Sequence, residues 1–271
     1  MKRFFLFIQF LLLTIAANAT AQDSDIIYID GMRWELLGRP VCANSKLYRQ
    51  LKAVLPTKLS TTSANWDGFT AYWSIKQDVL YLDSIRCEYY DIRTGQDVGE
   101  CIPADTLFHV FKKYVAGENI VAGWLTGKIR VGKGEIIYCD YGFQRNYEEE
   151  QVISIKKGRV IGKKEYHNYV IDGFSFGNAR DKSELRKLFP IHIENYPELA
   201  NARGFYFSFR KAHVDSEGRL VKCKVETFNP RLAAELAQLF KAYHPWKVWY
   251  VNGEYRAYGM LGWIIPYFLD K

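Results

Sequence analysis

The sequence predicts an α+β protein with two domains: a strand-rich N-terminal domain with short helices, then a small strand–strand–helix–strand domain. From Asn119 to Val170, four or five strand-like runs are separated by Gly-containing turns, without the regular strand–helix alternation of a parallel sheet. Near Asp172 the composition becomes polar and Gly-rich, which indicates a domain boundary. Beyond this boundary, an amphipathic helix starting at Asn229 separates further strand-like runs.

The first residues have the pattern of a cleavable export signal. Lys2 and Arg3 precede an apolar run from Phe4 to Ala17, and Ala19-Thr20-Ala21 fits the small-x-small cleavage rule. The run is shorter than the ~20 apolar residues of a membrane-spanning helix. We therefore expect residues 1–21 to be a signal peptide and the mature chain to be periplasmic or secreted, with no transmembrane segment. An uncleaved membrane anchor is the alternative.

The patterns give three ranges after the leader. We expect residues 22–175 to form the strand-rich α+β domain, residues 176–189 a linker with a helix, and residues 190–271 the C-terminal domain. In the first domain, Ser45 opens a helix that Pro56 ends, and the runs FTAYWSI and VLYLDSI predict a hairpin.

The C-terminal region has the clearest secondary-structure pattern. The runs GFYFSFRKAHVD and RLVKCKVETF predict two strands joined by the turn Ser216-Glu217-Gly218. Asn229 caps a helix with Pro230 at its first position. Apolar residues recur along this helix at helical spacing: Leu232, Leu236, Leu239, Phe240 and Tyr243. After Pro245, two aromatic runs flank Asn252-Gly253, a strong hairpin signal.

Several segments of this region resemble the C-terminal domain of TonB and related periplasmic proteins. They lie within residues 194–269 and read YPELANARG, NPRLAAEL, PWK, VNGE and IIPYF. The resemblance implies a Gram-negative protein in which a helix covers one face of a small antiparallel sheet. In TonB, an edge strand of that sheet accepts an extended segment of an outer-membrane receptor. The partner implied here is therefore a protein or extended peptide, envelope-associated in that family.

Four residues are candidate partner contacts: two rest on this resemblance and two on the ring pattern, for which core packing of any single ring is the favoured interpretation. Tyr196 and Pro197 match a motif near the receptor contact in TonB, while Tyr258 and Trp263 lie in the aromatic C-terminal segment. Alternating rings there would place one row against the helix and leave the other row to line a groove. The chain departs from TonB in its cleavable leader and in having no Pro-rich spacer. We therefore expect protein binding without energy transduction.

Charge and residue spacing argue against several functional classes. The 37 basic and 30 acidic residues are spread along the chain. The densest basic runs, Lys156-Lys157 and Lys163-Lys164, flank a turn, which predicts a solvated hairpin and no nucleic-acid site. The five His residues are scattered and no two Cys residues have C-x-x-C spacing, so we expect no metal site. We expect no cofactor and no enzymatic activity.

An alternative function is glycan or small-ligand binding by the N-terminal sheet. Trp66, Asp67, Tyr72 and Trp73 form an aromatic–acidic cluster of a kind that can stack on a sugar. Packing of a turn against the sheet is the favoured interpretation of this cluster. The N-terminal domain otherwise looks like uncharacterised secreted proteins, and no activity follows from that likeness.

A second alternative is a serine hydrolase. Residues 173–177, GFSFG, match the G-x-S-x-G pattern with Ser175 as nucleophile, and Asp215 and His244 follow in the hydrolase order. This chemistry needs a helix directly after the serine, whereas Asn178–Lys182 postpones any helix. An interdomain linker is therefore the favoured interpretation.

The five Cys residues bear on the compartment and on covalent bonds. An odd number leaves at least one free thiol or an intermolecular bond in an exported protein. Cys87 and Cys101 flank the segment EYYDIRTGQDVGE, which is predicted to be a loop, and they are the candidate disulfide.

Overall fold

The computed structural model of the chain describes residues 21–56, 64–91, 93–139, 142–176, 184–256 and 263–269. These residues form a mixed α/β protein that is rich in strands and has few helices, as the sequence predicts. The chain divides into two compact units between Tyr166 and His167, and each unit has its own apolar core.

The N-terminal unit contains ten strands and two α-helices among its described residues. In chain order they are β1 (Asp25–Ile29), β2 (Met32–Leu36), α1 (Ser45–Lys52), β3 (Phe69–Lys76), β4 (Val79–Asp91), β5 (Gln96–Cys101), α2 (Ala104–Val110), β6 (Val115–Ala116), β7 (Asn119–Val121), β8 (Gly127–Cys139), β9 (Arg145–Lys156) and β10 (Arg159–His167). The predicted hairpin is β3–β4, and the predicted helix at Ser45 is α1, which the Asn44 side chain caps.

One curled sheet runs through the N-terminal unit. Its strand order is β10-β9-β8-β2-β1-β3-β4-β7-β6, and β5 also pairs with β4. Strand β1 is antiparallel to β2 and parallel to β3. Arg159 of β10 also pairs with Val79 of β4, so the sheet closes on itself. The apolar core of the unit includes the fully buried side chains of Phe69, Trp73 and Phe111.

The C-terminal unit combines two small antiparallel sheets with helices. Its elements in chain order are β11 (Tyr169–Ile171), α3 (Leu185–Leu188), β12 (Gly204–Val214), β13 (Leu220–Glu226), α4 (Pro230–Ala242), β14 (Val248–Val251), β15 (Glu254–Arg256) and β16 (Trp263–Phe268). The strand orders are β13-β12-β16 in one sheet and β11-β14-β15 in the other.

The boundary of the C-terminal unit lies earlier in the chain than the sequence suggested. The predicted first domain extends to residue 175, but Tyr169 of β11 pairs with Tyr250 of β14. Phe174 forms a bridge with Trp246, and a Cβ on Gly173 would lie only 2.5 Å from the Trp246 carbonyl carbon. Phe189, in the predicted linker, is buried in the second core. The partners of these residues are distant in sequence, so local composition did not reveal the pairing.

The core of the C-terminal unit lies between α4 and one face of β12. The Asn229 side chain accepts hydrogen bonds from the N–H groups of Arg231 and Leu232, which starts the helix where the sequence predicts. The stripe of α4 that is fully buried consists of Leu232, Leu236 and Phe240. Facing it are alternate residues of β12, namely Phe205, Phe207 and Phe209. This packing confirms the predicted helical stripe.

Trp246 joins this core to the chain that follows α4. Its ring lies parallel to the Phe209 ring, with centroids 5.4 Å apart. Its indole N–H donates to the Phe240 carbonyl oxygen at 2.9 Å, and its backbone N–H donates to the Gly218 carbonyl oxygen at 2.8 Å. One residue therefore connects β12, the end of α4 and the β12–β13 turn.

We expect Phe240→Ala to lower the free energy of unfolding of the C-terminal unit by about 3–5 kcal/mol, because it leaves a cavity among closely packed rings. Hydrogen exchange of the β12 amides measures this change. The control is Ile264→Ala at an exposed position, expected to change the value by no more than about 0.5 kcal/mol. Equal effects of the two substitutions would contradict the placement of this core.

Candidate functional site

The sheet β13-β12-β16 has one face against the α4 core and a second face with exposed side chains. We call the second face the open face. It carries Tyr206, Ser208 and Arg210 of β12, Ile264, Pro266 and Phe268 of β16, and Lys222, Lys224 and Glu226 of β13. Because side chains alternate along a strand, burial of Phe205, Phe207 and Phe209 turns Tyr206, Ser208 and Arg210 to the open face.

One half of the open face is an apolar row. Tyr206, Ile264 and Phe268 expose 66%, 70% and 57% of their surfaces. The register places Tyr206 opposite Pro266, so Ile264 and Phe268 lie on either side of that pair. Cross-strand and diagonal neighbours of this kind are close enough for large side chains to touch. The three residues therefore form one continuous apolar surface rather than isolated exposed side chains.

The other half of the open face is basic. Arg210, Lys222 and Lys224 are exposed, and the register places Arg210 opposite Lys224. Glu226 is the acidic member of this group: it accepts from Ser208 and forms an ion pair with Lys224 at 2.6 Å. The pKa of Glu226 is lowered, first by the hydrogen bond from Lys224 and then by its charge. Cationic charge thus exceeds anionic charge beside the apolar row.

The structure describes the side chains of two of the four predicted partner contacts, Tyr196 and Pro197. Tyr196 is buried, and its hydroxyl donates to a carboxylate oxygen of Glu235 on α4. Burial, and then this hydrogen bond, raise the pKa of Tyr196 to about 12. The prediction that Tyr196 contacts a partner is therefore wrong, since its side chain belongs to the core. Pro197 is exposed at the start of a short 3-10 helix, and Tyr258 lies outside the described residues.

Trp263 lies at the first position of β16, where its backbone is paired with Phe209. The sequence singled out this strand for its rings; among its side chains that the structure describes, the exposed apolar ones are Ile264 and Phe268. Tyr206, on the neighbouring strand, was not singled out at all. Its signal was the alternation of GFYFSFR, in which a large apolar residue stands at a position facing away from the buried phenylalanines.

The predicted ligand cluster in the N-terminal unit is split between two environments. Trp73 is fully buried, and its indole N–H donates to Asp25 at 3.1 Å, so it is a core residue. Tyr72 follows the alternation of β3 and lies on the other face, half-buried. Trp66 is exposed, and the neighbouring Asp67 accepts a hydrogen bond from the Tyr48 hydroxyl. The prediction of one cluster with four members is therefore wrong.

Arg39 connects three segments around this region and was not predicted. Its guanidinium forms ion pairs with Asp25 at 3.1 Å and with Asp67 at 3.7 Å. It also donates to the carbonyl oxygens of Asp23 and Phe69. Asp25 and Arg39 are 14 residues apart in sequence, and no local pattern marks such a pair. The arrangement fixes the loop before β3 and leaves Trp66 projecting from it.

The carboxyl group of Asp25 is fully buried at the start of β1. It accepts from the Ala71 N–H and the Trp73 indole in addition to Arg39. Burial raises the pKa of Asp25 to about 6, and Arg39 with the two hydrogen bonds opposes this shift only in part. The pKa of Asp25 is therefore set by two opposing effects: desolvation raises it, and ion pairing with Arg39 lowers it.

Two of the three residues of the hydrolase pattern, Asp215 and His244, make hydrogen bonds with backbone groups. Ser175 is buried beside the Phe174–Trp246 bridge. Asp215 accepts from the N–H groups of Glu217 and Arg219 within the β12–β13 turn. The Nε2 atom of His244 lies 2.7 Å from the Glu217 carbonyl oxygen of the same turn. Asp215 and His244 thus hold this turn.

The predicted disulfide between Cys87 and Cys101 is absent, and both thiols are free. The predicted loop between them is the β4–β5 hairpin, in which Cys87 lies opposite Glu100 and Cys101 opposite Arg86. Because directly opposite residues share a face, the two cysteines point to opposite faces of the hairpin. Burial raises the pKa of Cys87 to about 11, whereas Cys101 is exposed.

In the part of the chain that the structure describes, no helix has the length and apolar character needed to cross a bilayer. The same residues contain no group of three or more His, Cys, Asp and Glu side chains placed to hold a metal ion. Compared with known proteins, the chain matches no family model, no curated sequence and no solved structure.

We expect acid to stabilise the wild type relative to Asp25→Asn. The pKa of Asp25 is about 6 in the folded chain and 3.8 ordinarily, so the folded state binds this proton more tightly. Tighter binding of this proton raises the free energy of unfolding by roughly 2–3 kcal/mol. This stabilisation is present below about pH 4 and is lost as the pH rises through about 6. Urea unfolding of both proteins at several pH values measures the difference. If the free energies of unfolding of the two proteins changed with pH in the same way, this expectation would be wrong.

We expect iodoacetamide to alkylate Cys101 and to spare Cys87 in the folded protein, since Cys87 is buried and its thiol resists ionisation. Mass spectrometry of tryptic peptides, before and after unfolding in urea, measures the labelling. Unfolding should make Cys87 reactive. A peptide containing Cys87 linked to Cys101 would overturn the strand register that separates them.

Proposed function

We propose that this protein is a non-catalytic, exported binding protein, periplasmic or secreted, whose C-terminal unit docks a segment of a partner protein. The observation that carries the proposal is the apolar row Tyr206, Ile264 and Phe268 on the open face. Contiguous exposed apolar surface is typical of protein interaction sites, whereas single exposed apolar residues are common everywhere. Fully covering one such side chain contributes ~1.5–3 kcal/mol, so covering the whole row contributes substantially to the free energy of binding.

The resemblance to the C-terminal domain of TonB supports the same proposal. Strands β12 and β13, helix α4 and strand β16 follow one another in the order that the resemblance implies, with β14 and β15 inserted before the last strand. A helix against one face leaves the other face and the two outer strands for a partner. The proposed partner is a protein that presents an extended segment, as the receptors of TonB do.

The charge of the open face narrows the chemistry of that partner. Arg210, Lys222 and Lys224 stand beside the apolar row, with Glu226 as the acidic neighbour. A segment with apolar and acidic side chains complements this arrangement, because the apolar groups leave water and the charges attract. A basic segment would bring like charges together.

Glycan binding by the N-terminal unit is a second candidate function. It is favoured by Trp66, which exposes 69% of its surface beside a well-anchored Asp67. Tyr48 donates to the Asp67 carboxylate, and Lys52 donates to the Asp67 carbonyl oxygen at 3.0 Å. A sugar ring could stack on the exposed indole while this loop stays in place.

We expect a photoreactive benzoylphenylalanine in place of Tyr206 to cross-link one partner protein in the cells that produce this chain. The matched control carries the same residue in place of Tyr90, an exposed strand tyrosine in the N-terminal unit. Adducts separated by electrophoresis and identified by mass spectrometry are the measurement. A synthetic copy of the cross-linked segment should then bind the purified protein.

The second substitution in this test is Ile264→Asp, which puts a charge into the apolar row. It should weaken binding of the synthetic segment by about tenfold or more, because a buried apolar contact is lost. Absence of a Tyr206 adduct, or equal adducts from Tyr206 and Tyr90, would overturn docking on the open face.

A further inference from the structure

The hydrogen-bond register shows which backbone groups of the sheet β13-β12-β16 point outward. The N–H of Leu269 donates to the Arg203 carbonyl oxygen at 3.0 Å, which makes these two residues a hydrogen-bonded pair. Hydrogen-bonded and non-bonded pairs alternate along an antiparallel ladder. Ile265 and Tyr267 therefore direct their backbone groups toward β12, while Ile264, Pro266 and Phe268 direct theirs to the outer edge of β16.

The outer edge of β16 is poorly suited to receive another strand. Pro266 stands in the middle of it and has no N–H, so the outward row of donors is interrupted there. Proline at such a position is a common means of blocking strand addition at a sheet edge. The outer edge of β16 is thus protected against the addition of another strand.

The outer edge of β13 has no such interruption. By the same alternation, Ser208 and Glu226 form a hydrogen-bonded pair, so the N–H and C=O groups of Val225 and Cys223 point away from β12. Among the described residues, no other strand pairs with this edge. Cys223 and Val225 are half-buried against the α4 core, so the edge lies beside apolar surface.

Three lysines lie near this edge, and Glu226, which pairs with Lys224, is the acidic neighbour on the same strand. Lys222 and Lys224 are exposed on the open face of β13, and Lys241 is exposed on α4. Burial raises the pKa of the Cys223 thiol, while the nearby charge of Lys241 acts to lower it, so cationic charge reaches both sides of the strand. A second copy of this chain would place the same lysines against each other, and like charges disfavour that pairing.

We propose that an acidic, extended segment of a partner protein adds to the outer edge of β13 as a fourth strand of the sheet. This inference rests on the proposed function and specifies its edge and its ligand. Side chains of an added strand alternate between the two faces of the sheet. Acidic residues on one side meet Lys222 and Lys224, and apolar residues on the other side meet Val225 and Cys223 beside α4.

The test uses the full chain and a fluorescent synthetic peptide of alternating Glu and Val, matched in length to the seven residues of β13. We expect its anisotropy to report saturable binding that weakens as salt is added. A peptide of alternating Lys and Val should bind at least about tenfold more weakly. The double substitution of Lys222→Glu and Lys224→Glu should reverse this preference. An unchanged preference would overturn the proposal.

The edge is tested by placing a proline at an outward position of β13. Val225→Pro should weaken binding of the Glu/Val peptide about tenfold or more, because it removes a donor from the receiving edge. Val225→Ile keeps the N–H and an apolar side chain, so it is the matched control and should change binding less than about twofold. Equal binding by the two variants would overturn the assignment to β13. Circular dichroism checks that both variants fold.

A modified peptide tests strand pairing without any change to the protein. Methylation of alternate backbone nitrogens on the side that faces β13 should abolish binding, while methylation of the other set should not. Equal binding of both peptides, or no binding of any peptide, would overturn strand addition. The cross-link from position 206 tests the proposed function separately. If Val225→Pro abolishes peptide binding, pairing at β13 is supported; if the adduct persists in Val225→Pro, docking on the open face is supported but does not require pairing at β13.

Discussion

The C-terminal unit depends on the alternation of side chains along β12. Phe205, Phe207 and Phe209 point to one face and are buried against α4, so the residues between them must point to the other face. Core and candidate binding surface are therefore two sides of the same strand. A shift of the register by one residue would exchange them and would expose three phenylalanines, which is why burial specifies this register strongly.

Trp246 extends this constraint to the rest of the unit. Its ring packs on Phe209, while its backbone pairs with Phe174 and with Gly218. Both approaches are close: a Cβ on Gly218 would lie 2.6 Å from the Trp246 carbonyl oxygen. Two segments remote from α4 in sequence are thus held against the same core.

Local sequence patterns were sufficient to predict the helices and strands, but they did not predict which side chains form the candidate site. The cap at Asn229, the stripe of α4 and the β3–β4 hairpin depend on neighbours in sequence, and the structure contains them as predicted. Tyr196 was misplaced because a tyrosine near a surface turn looks the same whether or not it meets a distant Glu235. Cys87 and Cys101 were paired from their spacing, although the register of their hairpin separates them.

The sequence alone determined that this chain is rich in strands, that one helix near its end has a single apolar stripe, and that its charge is dispersed. These properties follow from periodicity and composition, which are local. Only the tertiary structure decided which rings are core, that Tyr206 and Ile264 lie on neighbouring strands of one face, and that Pro266 interrupts one sheet edge while no described strand pairs with the outer edge of β13. Those features depend on pairing between strands, and the free energy of pairing is shared among residues far apart in the chain.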